Sequence, residues 1–259
     1  LDGFFAAVAA GGFGANNEMV AKYVPRLKGF ATTNHPGATG DGLLLAEKIG
    51  AQLIQMDQIQ THPTVVPNVG EMITEAVRGN GAVLINKEGK RFYNELETRD
   101  KVSAAILKQK DGVAYLFFDS DMQKSLKATN NYIKQKYCLN GATLDEVAGK
   151  MGVPADTLKA TFETYDAMVA AGEDTEFGKK LFLQSLSAPY YAMKHFPYRY
   201  KTHGGMKITT DSQLTDKDGN PIPNVYCAGS TVADSGSDLS PNAGSGLISG
   251  KAVVEALKA

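Results

Sequence analysis

Residues 74–100 of this chain read TEAVRGNGAVLINKEGKRFYNELETRD, and they carry the densest set of chemically capable side chains. Thr74, Glu75, Arg78, Glu95 and Arg99 gather around the turn-forming NKEG, and His62 lies twelve residues before Thr74, in QTHPT. Arginine presents a fork of donors that matches a carboxylate. Glutamate can hold and pass a proton, while histidine and threonine can hydrogen-bond an anion. The set suits holding a small carboxylate and moving a proton. Plainer readings stand beside it. Arg99 next to Asp100 could form a surface ion pair of little worth. His62 before Pro63 could be a loop histidine satisfied by backbone. Glu75 and Arg78, three apart, could form an ordinary helical pair, and Glu95 could simply brace a hairpin.

The elements that must position these residues can be read from periodicity and punctuation. FFAAVAA is an apolar run ending in GGFG, which predicts a buried strand entering a glycine turn. NNEMVAKYV predicts a short helix with an asparagine cap, and GLLLAEKIG a helix ending at Gly50. AQLIQM predicts a strand, AVLINKEGKRFYN a hairpin, RDKVSAAILKQK a helix and VAYLFFD a buried strand. TLDEVAGKMG and PADTLKATFETYDAMVAAG predict helices, with Pro154 in a first helical turn. PYYAMKHFPYRYKTHGGMKIT is strand-like, QLTDKDGNPIPNVYCAG a turn and strand, and LISGKAVVEALKA a closing helix. The middle is helix-rich and both ends read strand–glycine–helix. This predicts one domain whose halves flank an insertion, of mixed α/β and α+β class.

Bulk properties bound the function. The 259 residues suit one large domain or two smaller ones, and 43% apolar residues with 27 glycines suit a globular α/β chain. A formal net charge of −1 gives no global attraction to nucleic acid or anionic membrane. Cys138 and Cys227 fit no metal spacing, and no CxxCH is present to attach haem. No apolar run reaches the roughly 18 residues of a membrane helix. The opening LDGFFAAVAAGG lacks the basic start of a signal peptide.

In order along the chain, AAGGFGANNEMV, TNHPGATGDG, QTHPT, TEAVRGNGAVLINKEGKRFYNE, TRDKVSAAIL, THGG and NVYCAG resemble the soluble fumarate reductase (flavocytochrome c) family. These flavoproteins are related to succinate dehydrogenase flavoprotein subunits and urocanate reductases. The resemblance implies an FAD-binding domain interrupted by a clamp, or capping, domain, with the site between them. Residues 1–56 and 202–259 would belong to the FAD domain and 57–201 to the clamp. It implies hydride transfer from flavin N5 to an α,β-unsaturated carboxylate, with Arg99 as proton donor and Glu75 and Arg78 as its relay. His62 and Thr74 would hold the substrate carboxylate, with Gln60, His203 and Lys201 as further substrate contacts. Gly11, Gly12, Thr39, Gly40, Asp41, Gly229, Ser230, Asn242 and Ser245 would meet FAD. The implied partners are a small unsaturated acid and an electron-donor protein, and a periplasmic location follows by analogy.

Two departures accompany the resemblance. No strand–GxGxxG–helix unit is present. A glycine turn of that kind lets pyrophosphate meet a helix N-terminus. A fragment of a longer protein, or a partner that supplies the missing FAD-binding segment, is therefore expected. The second departure is at the C-terminal end, AGSTVADSGSDLSPNAGSGLISG. Ser230 stands where the family carries a glutamate, and no arginine follows Arg199. An arginine fork on the substrate carboxylate is thus lost or replaced, which bears on whether fumarate itself is the substrate. The other reading is a flavin-free clamp-domain fragment without activity of its own.

Overall fold

The structure is a computed structural model that describes residues 4–234 and 239–258. Residues 1–3, and 235–238 of the serine- and glycine-rich run, lie outside the described residues. The fold mixes helices and sheets, and its contacts divide the chain into two units, Leu1–Gln60 with Arg199–Ala259, and Thr61–Tyr198.

In the first unit, the strand Ala6–Val8 runs parallel to Pro221–Cys227, with Val8 opposite Cys227. Gln213–Thr215 pairs antiparallel on the other side of Pro221–Cys227. The expectation of a buried FFAAVAA strand is corrected. The strand has three residues, Ala6 and Ala7 are exposed, and Phe4 is 75% exposed. An apolar run reports burial only when neighbours cover it, and among the described residues this strand is paired on one side alone. The helix Asn17–Tyr23 begins as read, because the Asn16 side chain accepts from Glu18 N and Met19 N at 3.1 and 3.0 Å. AQLIQM contributes only the two-residue strand Leu53–Ile54, antiparallel to Gly205–Met206. The closing helix is longer than expected, Leu239–Ala256, and takes in NAGSG. Each glycine inside a helix costs about 1 kcal/mol. Here the rest of an 18-residue helix outweighs that cost. The core gathers Phe13, Val20, Leu43, Met206, Leu214 and Cys227.

The second unit is built on a sheet ordered Ile59–Val65, Tyr190–Thr202, Ala114–Asp119, Val83–Ile85, with Cys138–Gly141 also paired to Tyr190–Thr202. All six residues of Ala114–Asp119 are buried. Side chains alternate across a strand. Tyr115 and Phe117 therefore enter one core with Leu158, Phe162 and Tyr165 of the helix Ala155–Ala171. Leu116 and Phe118 enter another with Val102 and Ile106 of the helix Arg99–Leu107. Pro154 immediately precedes Ala155–Ala171 rather than lying within it. The expected hairpin is reduced to a turn. Asn86 N donates to Lys90 O at 2.9 Å and Arg91 alone bridges Ile85, while Val83–Ile85 takes Ala114–Asp119 as its full partner. Two short helices, Ser120–Ser125 and Lys127–Lys134, and the strand Cys138–Gly141 were not among the elements expected from the sequence. No helix among the described residues is long and apolar enough to cross a membrane.

Candidate active site

Three elements of the second unit converge on one carboxylate. His62 lies in the strand Ile59–Val65, Glu75 opens the helix Glu75–Gly79, and Arg99 opens the helix Arg99–Leu107. Arg99 Nε donates to Glu75 Oε1 and forms an ion pair with it, and His62 Nε2 lies 3.4 Å from the same oxygen. Arg99 is therefore not merely paired with its neighbour Asp100, and His62 is not a loop histidine. On the other side of its ring, His62 Nδ1 lies 3.2 Å from Thr64 O and 3.4 Å from Thr64 N, so the tautomer sets whether it donates to the carbonyl or accepts from the N–H.

Thr74 caps the helix that carries Glu75. Its Oγ1 accepts from Ala76 N at 3.4 Å, and its own N donates to Tyr132 Oη at 3.1 Å. Arg78 lies on the same helical turn but turns elsewhere, with Nη1 donating to the Glu95 backbone carbonyl at 2.7 Å. It is 4% exposed, and its Nε finds no partner among the described residues.

Burial and charge set the protonation states. Burial pushes the His62 imidazole down to about 4; Glu75 opposes this, while Arg99 and Arg78 add to it. Burial would raise Glu75, but the hydrogen bond and charge of Arg99, with His62, hold its carboxyl below the usual carboxylate range. Burial also lowers Arg78, against the pull of Glu75. At neutral pH the cluster is thus a neutral imidazole, a carboxylate and two guanidinium groups. The Glu75 side chain is 41% exposed and that of Arg99 28%, so protons from water reach this pair.

Sequence reasoning missed the surroundings. His195 is fully buried, its Nδ1 3.2 Å from Pro63 O, and burial pushes it down to about 3. Arg91, Glu95, Asp174 and Lys179 form a buried ionic cluster. Arg91 Nε and Nη2 fork onto the two Glu95 oxygens at 2.9 Å, and Nη2 also reaches Asp174 Oδ2 at 2.7 Å. The contact to Asp174 spans 83 residues, so no local pattern could announce it.

The residues expected to meet a cofactor, and the remaining substrate candidates, belong to the first unit. Gly11, at φ 75°, donates its N–H to Thr231 Oγ1 at 2.9 Å. A Cβ on Gly12 would sit 2.1 Å from Thr202 Oγ1, so only glycine fits there. Gly40, at φ 79°, starts the helix Asp41–Lys48, and the Thr39 carbonyl accepts from Asn16 Nδ2 at 2.8 Å. Gly229 N donates to Ser245 Oγ at 2.9 Å, and Asn242 Nδ2 donates to Ser230 Oγ at 3.2 Å. The glycine turn at 11–12 and the 229–245 segment therefore meet at the short turn Gly229–Thr231. Thr202 and Thr231, which join them, had no signal in sequence. His203 N donates to Gln58 O at 2.8 Å, and Lys201 Nζ lies 5.9 Å from the Tyr200 ring. The glycines of THGG have a packing reason. A Cβ on Gly204 would meet Gln55 O at 2.3 Å, and one on Gly205 would meet Thr231 O at 2.3 Å. Gln60 is half-buried at the end of this unit's first segment.

A family model described as an FAD binding domain matches residues 6–247. The chain is similar to a fumarate reductase (cytochrome) of Shewanella frigidimarina, 44% identical over 223 residues, covering 86% of this chain and 39% of that protein. It is also similar to an NADH:fumarate oxidoreductase of Klebsiella pneumoniae (strain 342), 42% identical over 227 residues, covering 87% of this chain and 24% of that protein. Among solved structures it resembles the open conformation of a flavocytochrome c3 fumarate reductase. The TM-score is 0.80 at 36% identity, over 95% of this chain and 44% of that one. The chain thus spans well under half the length of these relatives.

The first unit's residues fit FAD. Asn242 Oδ1 is buried and has no partner among the described residues, which leaves an acceptor for a ring N–H. A Cβ on Gly12 would clash with Thr202 Oγ1, and Gly11 and Gly229 take left-handed φ, which glycine adopts without steric cost. With a family model matched along nearly its whole length, the chain belongs to the FAD binding domain family of flavoproteins.

Proposed function

We propose that this chain carries the proton-donating side of a site that reduces an α,β-unsaturated carboxylate. The observation that carries the reading is the Arg99–Glu75–His62 cluster, in which one half-exposed carboxylate touches both a guanidinium and a neutral imidazole. FAD, when bound, supplies the hydride for such a reduction. Gly11, Gly12, Thr39, Gly40, Asp41, Gly229, Ser230, Asn242 and Ser245 are the residues we assign to holding it.

Arg99 gives a proton to the α-carbon as the β-carbon gains a hydride, and its positive charge stabilises the anion that develops next to the carboxylate. An arginine is a poor acid, with an unperturbed pKa above about 12. It works here because a base in contact with it restores the proton. Glu75 collects a proton from water and passes it to Arg99. Arg78 contributes to this relay as a fixed buried charge. His62 and the Thr74 hydroxyl hydrogen-bond the substrate carboxylate. Gln60, His203 and Lys201 are assigned to substrate from the resemblance alone.

The test is direct. The purified protein should take up FAD, absorb near 450 nm and oxidise reduced viologen when an unsaturated acid is added. Arg99→Ala should abolish turnover and keep the flavin. Normal turnover in that variant removes Arg99 as donor. A colourless protein that ignores added FAD supports the second reading, a flavin-free association module.

A further inference from the structure

The buried ionic cluster lies next to the proposed proton relay, and one residue belongs to both. Glu95 is fully buried, and every oxygen it has is used. Oε1 accepts from Leu84 N at 3.1 Å and Arg91 Nε at 2.9 Å, and Oε2 accepts from Arg91 Nη2 at 2.9 Å. Lys179 Nζ stands 3.6 Å from Oε2. Its backbone oxygen takes Arg78 Nη1 at 2.7 Å. Arg91 is fixed in turn, forked onto Glu95, bonded to Asp174 and flanked by the rings of Tyr165 and Phe177 at 5.2 and 4.9 Å.

The four side chains balance, two cations against two anions, so the cluster is neutral within itself. Arg78 is outside that balance. It sits on a carbonyl rather than a carboxylate, with the charges of Glu75 and Glu95 acting on it from a distance. A carbonyl oxygen aligns a guanidinium without neutralising it. That carbonyl belongs to the residue whose side chain Leu84 N, Arg91 and Lys179 hold from three directions.

We propose that Glu95 is a positioning residue for the proton relay: its carboxylate, locked by Arg91, Leu84 N and Lys179, fixes its own carbonyl so that Arg78 is held as a positive charge beside Glu75 and His62. The proposal rests on the proposed function for its catalytic meaning, but the placement of Arg78 can be measured without turnover.

His62 is the reporter. The charged groups around it are Glu75 from its helix, Arg99 from the next helix, Arg78 and the neutral, buried His195. The experiment follows the His62 ring proton resonance against pH in the wild type, in Glu95→Gln and in Arg78→Met. Arg78→Met should raise the His62 midpoint, since a nearby positive charge is removed. Glu95→Gln keeps the backbone and the shape but loses the clamp, so it should weaken protection of the Arg78 side-chain protons from exchange and move the His62 midpoint away from its wild-type value. An unchanged midpoint in folded Glu95→Gln, with a clear rise in Arg78→Met, overturns the proposal. If Glu95→Gln does not fold, Arg91→Lys replaces it. That variant keeps the charge and loses the fork, and a His62 midpoint identical to wild type there overturns the proposal as well. In flavin-loaded protein, Glu95→Gln should lower kcat about tenfold or more with KM nearly unchanged. A loss confined to the amount of folded protein, at normal kcat, would mean a purely structural role. Failure of Arg99→Ala to affect turnover would sink the proposed function and leave the titration result standing.

Discussion

Glu75 is the residue on which most of the proposed chemistry turns, because it touches both Arg99 and His62. Glu75→Gln preserves size and removes the proton carrier. The rate of acid reduction in flavin-loaded protein should fall on the order of a hundredfold, the range of a lost general acid–base group. A steady-state assay that finds more than half of the wild-type kcat would exclude Glu75 as the supply. The same substitution removes the charge that raises His62, so the His62 midpoint should drop below its value of about 4. At this scale the sequence was informative where types and spacing carry meaning. Thr74, Glu75 and Arg78 lie within five positions, and Arg99 opens its own helix behind Thr98. It was silent on His195, whose one described polar contact is to Pro63, 132 residues away.

Short elements hold these residues, so caps and close contacts matter more than helix propensity. Tyr132 Oη accepts from Thr74 N and donates to Met72 O at 3.3 Å. Tyr132→Phe leaves that N–H without its partner and should cost about 1–2 kcal/mol in chemical unfolding. Asn16→Ala removes both the helix cap and the bond from Asn16 Nδ2 to Thr39 O, and should cost about 1–2 kcal/mol. Gly204→Ala forces a Cβ against backbone at 55–56 and should cost about 3 kcal/mol or prevent folding. An unfolding midpoint equal to wild type would show that this backbone can yield. Capped helices were legible because Asn16 and Thr143 precede their helices with the right side chains. The strand Cys138–Gly141 was not, since its partner is the distant Tyr190–Thr202 and its own four residues include Asn140 and Gly141. The exposed Ala6–Val8 was misread for a related reason, because apolar composition cannot reveal which side of a strand is left uncovered.

For the whole molecule, buried histidines set the response to acid. His62 has a folded value of about 4 and His195 about 3, against an ordinary 6.5. Between these values the unfolded chain binds protons that the folded chain refuses. Stability is therefore full above pH 6.5 and falls as the pH drops toward 4, by roughly 3 kcal/mol for His62 at the usual 1.4 kcal/mol per unit. Burial would raise Asp174, but its bonds to Arg91 and backbone N–H groups bring it down to about 2 from 3.8, which continues the loss at still lower pH. Urea midpoints at pH 7, 5.5 and 4 should decline in that order; a flat series would show that one or both rings ionise inside the fold. The mixed class and the FAD-domain membership were legible from motifs in fixed order. The ionic cluster was not, because Asp174 lies 83 residues from Arg91 and only the fold encloses them together with Glu95 and Lys179. That enclosure also governs how the protein meets heat. Stripping water from four ions is most costly in the cold, and the penalty shrinks on warming because ion hydration carries a strongly negative entropy. The Arg91–Glu95–Asp174–Lys179 cluster is accordingly worth more at high temperature than at low, and its enclosing helix Ala155–Ala171 and the 172–179 segment should be among the last parts of their unit to loosen as the molecule is heated.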